Sequence, residues 1–157
     1  MIRVTRLTDY GIVLLSRFAA EEPGAVLSAR ELAEETGIPL PTVSKILKTL
    51  TREGLLLSHR GTQGGYSLSR APEKVSVADV ISALEGPIAL TECAGEADGL
   101  CEIELTCPVR SNWQRITDAI REALASIPLH EMTLAHPLHH RQPDLGPLDL
   151  SAPDPRR

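Results

Sequence analysis

Aromatic residues are scarce: one Trp, one Phe and two Tyr among 157 residues. A core of stacked rings is excluded, and Leu, Ile, Val and Ala must do the packing. Long apolar runs are missing too. A membrane-spanning helix takes about 20 such residues, whereas the N-terminal stretch MIRVTRLTDYGIVLLSRF is interrupted by Arg17 and lacks a small-residue cleavage site after it. The expectation is a cytoplasmic protein with no membrane partner. Cysteine is sparse and odd in number, with all three between Cys93 and Cys107. That excludes a disulfide scaffold and points to metal or redox chemistry. The close C-x2-C pairs of a zinc ribbon are absent. Catalysis by Cys101 or Cys107 would need a histidine base, yet the histidines other than His59 begin at His130 and fall mostly in a Pro-rich tail. No enzyme is expected, and His136, His139 and His140 receive no role.

An overall positive charge, the usual mark of a nucleic-acid binder, is also lacking: the net charge is -5. The average conceals a segregation. From Thr42 to Arg70 the charged residues are Lys45, Lys48, Arg52, Arg60 and Arg70 against Glu53 alone. From Glu92 to Glu104 five carboxylates stand without a base. The first segment suits an anion and the second a cation or metal.

A chain of this length buries one hydrophobic core and carries an extension. Thr8 is the expected cap of a first helix running to Ala20, with Ile12, Leu15 and Ala19 on one face. Ser28 and Glu31 form an S-x-x-E capping box, so a second helix begins at Ala29 and stops at Gly37. Pro41 suits the first turn of a third helix, whose Val43, Ile46, Leu47 and Leu50 keep helical spacing up to Gly54. The short Gly37-Ile38-Pro39-Leu40 connection between these two helices is a helix-turn-helix pattern. Leu55 to Ser58, a glycine-rich turn and Tyr66 to Leu68 then read as a β-hairpin, the wing. Ser76 with Asp79 opens a fourth helix that Gly86-Pro87 closes.

The fold class is therefore mainly α with a small β-hairpin: a winged helix-turn-helix plus a C-terminal dimerisation helix. Four segments are expected: a winged-helix DNA-binding domain at 1–88, a cysteine loop at 89–110, a dimerisation helix at 111–134 and a Pro-rich disordered tail at 135–157. The dimerisation helix carries Trp113, Ile116, Ile120, Ala123 or Leu124, and Ile127 at steps of three or four. An isolated helix of this length is marginal in water, so its apolar stripe needs a partner, here a second copy of the chain.

The candidate contacts to double-stranded DNA are Ser28, Pro41, Thr42, Ser44, Lys45 and Lys48 on the helix pair, and His59, Arg60, Gly64 and Gly65 in the wing. Hydroxyls bond base edges or phosphates, the lysines add phosphate affinity, and Arg60 suits a narrow minor groove. The candidate metal ligands are Cys93, Cys101 and Cys107, whose loop contains the chain breakers Gly95, Gly99 and Pro108 and could wrap a compact inorganic core. Three thiolates leave a fourth ligand unassigned. A metal-free thiol-redox repressor is the alternative.

The segments LTDYG, ELAEETGIPLPTVSKILKTL, HRGTQGGYSLSRAP and VADVISALEGP, then three cysteines and RSNWQRI, together resemble the IscR-like family of iron-sulfur winged-helix regulators. The likeness is nearest to the SUF-system regulators of cluster assembly and runs from about Met1 to Met132. It implies a homodimer on a palindromic promoter element, with a 2Fe-2S or 4Fe-4S cluster altering repression of cluster-assembly genes. Cys93, Cys101 and Cys107 match the family cysteines, although the first gap is longer than in the best-known members. Where IscR-type members place a histidine ligand, this chain has Arg110, which has no lone pair to offer. Asp9 matches an aspartate that nitric-oxide-sensing members present from the partner subunit, and is the expected fourth ligand. At the family's acidic promoter-discriminating position this chain has Ser44, so that mechanism does not transfer.

Overall fold

The computed structural model describes residues 4–61, 64–91, 94 and 106–133. Helix α1 (Arg6–Ala20) is followed by α2 (Ala29–Thr36) and α3 (Leu40–Arg52). Strands β1 (Leu56–His59) and β2 (Gly65–Leu68), a 3-10 turn (Pro72–Lys74) and α4 (Val77–Glu85) come next, then α5 (Arg110–Ala125) and α6 (Leu129–Thr133). The strands pair antiparallel with Leu56 opposite Leu68 and His59 opposite Gly65. This is the expected helical fold with a two-stranded wing.

The local signals act as chemistry demands. Ser28 accepts from the Glu31 amide while the Glu31 carboxylate accepts from the Ser28 amide, so two unpaired groups of the first turn are satisfied. Gly37 ends α2 at φ 70°, a left-handed conformation that costs glycine nothing. Pro41 sits in the first turn of α3, where its missing N–H is not needed. Ser76 and Asp79 form the second capping box.

One cap differs from expectation. Thr5, not Thr8, caps α1: its hydroxyl accepts from the Thr8 amide at 3.3 Å. Thr8 is fully buried one turn on, its hydroxyl 3.3 Å from that of Thr5. A third segment joins the wing: Leu27 and Tyr66 exchange both backbone hydrogen bonds at 2.9 Å.

Leu14, Leu15, Leu32, Ile46, Leu47, Leu50, Leu56 and Val80 form the core, aliphatic as the scarcity of aromatics requires, with Phe18 at its edge. Leu129 of α6 is fully buried in the same core. Its amide donates to the Val75 carbonyl at 2.7 Å, and the Val77 amide donates to the Ile127 carbonyl at 2.9 Å. The chain thus returns to the winged-helix body after α5. Among the described residues no helix is long and apolar enough to cross a membrane.

Candidate nucleic-acid interface and cysteine loop

The apolar spacing of α3 decides which way its polar residues point. Val43, Ile46, Leu47 and Leu50 are completely buried, and at 100° per residue the opposite face carries Pro41, Lys45, Lys48 and Arg52, all exposed. Thr42, Ser44 and Thr49 are half-buried along the flanks. Neither Lys45 nor Lys48 makes an ion pair with a described residue, whereas Arg52 holds Glu53 at 2.9 Å. Arg52 was missing from the sequence-based set of contacts, although it continues the spacing of Lys45 and Lys48 by one turn. Ser28 is half-buried and committed to its capping box.

In the wing, the His59 ring lies 2.8 Å from the hydroxyl of buried Ser67, so the hairpin itself holds the imidazole. Arg60, the next residue, is exposed and joined by no side-chain hydrogen bond or ion pair to the described residues. The glycines have internal reasons. A Cβ on Gly64 would lie 2.6 Å from the His59 carbonyl oxygen, and one on Gly65 would lie 2.5 Å from that of Leu27. The tight hairpin is built on their lack of a side chain, and a close approach of DNA is not needed to explain them.

Cys93 and Cys101 lie outside the described residues. Cys107 is a half-buried free thiol just before α5, and its carbonyl accepts from the Arg110 amide at 3.5 Å. Asp9 is exposed in the first turn of α1, and its carboxylate makes no hydrogen bond or ion pair with a described residue. Among the described residues no group of three His, Cys, Asp or Glu is placed to hold a metal ion.

The C-terminal end of α4 and the residues just after it are held by hydrogen bonds to α1 and α5. The Glu85 carboxylate accepts from the Thr5 amide at 2.8 Å, tying the end of α4 to the start of α1. Partial burial raises the Glu85 pKa, but hydrogen bonds from the Thr8 hydroxyl and from Thr5 together outweigh it, and the group sits below the ordinary glutamate value. Further on, the Leu90 amide donates to buried Thr117 at 3.5 Å, and Arg121 donates to the Ile88 carbonyl at 3.2 Å. Thr117 and Arg121 were unremarked in the sequence. Their one available signal is a polar pair four residues apart on an otherwise apolar-striped helix.

Another face of α5 is open. Trp113 is 39% and Ile116 44% exposed, and Ile116, Ala119, Ile120 and Ala123 line a shallow groove between Asn112 and Arg115. Thr117 is the sole fully buried residue of this helix.

A family model described as Rrf2, iron-dependent transcriptional regulator, matches residues 4–134. A chain of Synechocystis sp. named an HTH-type transcriptional regulator is 30% identical over 131 residues, 83% of this chain and 87% of that one. Among solved structures, CymR, the global cysteine regulator of B. subtilis, is 27% identical with a TM-score of 0.65, covering 85% of this chain and 97% of its own. T. potens IscR is 28% identical with a TM-score of 0.60, covering 83% and 85%.

Proposed function

The chain belongs to the Rrf2 family of transcriptional regulators, and from that premise we propose that it represses iron-sulfur assembly genes through a cluster it binds itself. DNA binding by the family accounts for the polar face of α3. The observation that carries the assignment of individual contacts is the row Lys45, Lys48, Arg52, turned outward by a fully buried opposite face, with Arg60 in the wing, unpaired among the described residues. The helix would enter the major groove, its lysines meeting phosphates, while Arg60 reaches the minor groove. Thr42 and Ser44 are the flanking hydroxyls for base edges. The open apolar face of α5 supports a homodimer, and a two-fold dimer reads a palindrome.

The cluster reading rests on donor chemistry. Three thiols within one acidic loop and an exposed carboxylate on α1 give an all-anionic ligand set, Cys93, Cys101, Cys107 and Asp9. Bound, a cluster would supply a change of charge and ligation that a cell's iron or redox state can drive. Among the described residues Asp9 has no partner to surrender on becoming a ligand, and Arg110 has no lone pair with which to serve. Likeness to a cysteine regulator supports a second reading, a metal-free thiol-redox repressor that uses the same loop.

Anaerobic purification with iron and sulfide counting separates the two. Brown protein that is bleached by Cys93→Ser, Cys101→Ser or Cys107→Ser is the expected result; colourless, iron-free protein after anaerobic reconstitution rejects the cluster. Asp9→Ala should destabilise the cluster in a folded protein, and an unchanged spectrum removes Asp9 from the set. In mobility shifts on the cognate promoter, Lys48→Ala and Arg60→Ala should each weaken binding.

A further inference from the structure

A cleft of about 910 Å3 opens beside α3, with Lys45, Thr49 and Arg52 on one wall, Ser82 and Pro87 at the end of α4, and Arg121 of α5. Among the described residues three cations face one space against a single lining carboxylate, Glu53, which Arg52 already holds at 2.9 Å. Lys45 pairs with no described residue. The Arg121 side chain remains 41% exposed, with a loose 3.4 Å contact to Asp118 and a 3.2 Å hydrogen bond to the Ile88 carbonyl. Positive groups around a shared, partly enclosed volume raise its potential together, and an anion inside is attracted by all of them.

We propose that this cleft is a phosphate site and that Arg121, on a helix outside the winged-helix motif, is a contact to the DNA backbone. The inference rests on the DNA-binding mode proposed above. A helix with its side chains is about 10–12 Å across and nearly fills a major groove about 12 Å wide. The sugar-phosphate wall of that groove must then pass along a flank of α3, and the cleft opens on such a flank. Lys45 belongs to both surfaces: exposed on α3, it also lines the cleft. The Arg121 fork suits a phosphate, since guanidinium N–H groups pair with two oxygens at once. Because Arg121 also holds the Ile88 carbonyl, one side chain meets both the DNA and the stem of the cysteine loop.

The test is fluorescence anisotropy on a duplex bound by the native protein, repeated across salt concentrations. Arg121→Gln should weaken binding severalfold and lower the slope of log affinity against log salt by about one. Arg121→Lys, which keeps the charge but not the fork, should restore the slope and part of the affinity. A native slope in Arg121→Gln, or Arg121→Lys as weak and as low in slope as Arg121→Gln, overturns the proposal; the latter would assign the side chain to holding Ile88 alone. Inorganic phosphate titrated into DNA-free protein distinguishes the source of the anion: saturable binding that Arg121→Gln abolishes, together with native DNA affinity and slope in that variant, would make the cleft a free-phosphate site and overturn the DNA contact. Lys48→Ala, outside the cleft, is the reference. If it too leaves affinity and slope unchanged, the proposed mode of DNA binding fails; if it alone lowers them, only the cleft does.

Discussion

Replacing Leu129 by alanine tests the most consequential packing contact of the C-terminal segment. The side chain is completely buried, and its backbone is stitched to Val75 while Ile127 is stitched to Val77. Truncating a buried leucine costs about 2–5 kcal/mol, the larger values where the cavity cannot collapse. Helix α6 has five residues, far fewer than the roughly 12 an isolated helix needs. It therefore holds its place by docking, and loss of the anchor should fall in the upper half of that range. With a thermal sensitivity of about 3 °C per kcal/mol for a chain of this size, Tm should drop by about 10–15 °C. Urea unfolding followed by circular dichroism should show the midpoint moving down by roughly 2 M with little change in slope. Met132→Ala, on the exposed side of α6 at 43%, should change stability by less than about 0.5 kcal/mol. Equal stabilities for native protein and Leu129→Ala would refute the closure of the core by α6.

Ser76→Ala should cost about 1 kcal/mol in the same unfolding assay, because the first turn of α4 loses the acceptor for the Asp79 amide. Glu85, with its carboxyl held below the ordinary value of 4.5, stabilises the fold above that pH. That contribution fades as pH falls through the lowered folded-state pKa. Glu85→Gln should therefore flatten the acid limb of a stability-against-pH curve and leave its relative loss greatest near neutrality; identical curves would remove the Glu85 clamp on α1.

The fold was largely legible because its signals are local. Two capping boxes, the glycine at the end of α2 and the four-residue apolar period of α3 each act within one or two turns, and each fell within a residue of its expected place. Long-range partnerships were not legible. Thr8 has the composition of a cap, yet Glu85, 77 positions away in the sequence, takes its hydroxyl, and the cap moves to Thr5. Leu27 gave no sign of pairing with Tyr66, since a single bridging residue has no period. For the site, outward direction on α3 follows from the buried face, so the exposure of Lys45 and Lys48 is legible in the apolar spacing. Arg121 was passed over because its importance comes from facing a cleft that only the packing of α4 and α5 creates.

Fastening at Glu85 and again at Leu129 turns about 40 residues, 86 to 126, into an excursion with both feet on one core. The entropy of closing such a span grows only as the logarithm of its length. Two residues more or fewer between Cys93 and Cys101 alter that cost by less than about 0.1 kcal/mol. The fold is thus nearly indifferent to cysteine spacing. The gap lengths are therefore free to drift, and a lineage could lengthen or shorten them without disturbing the winged-helix body.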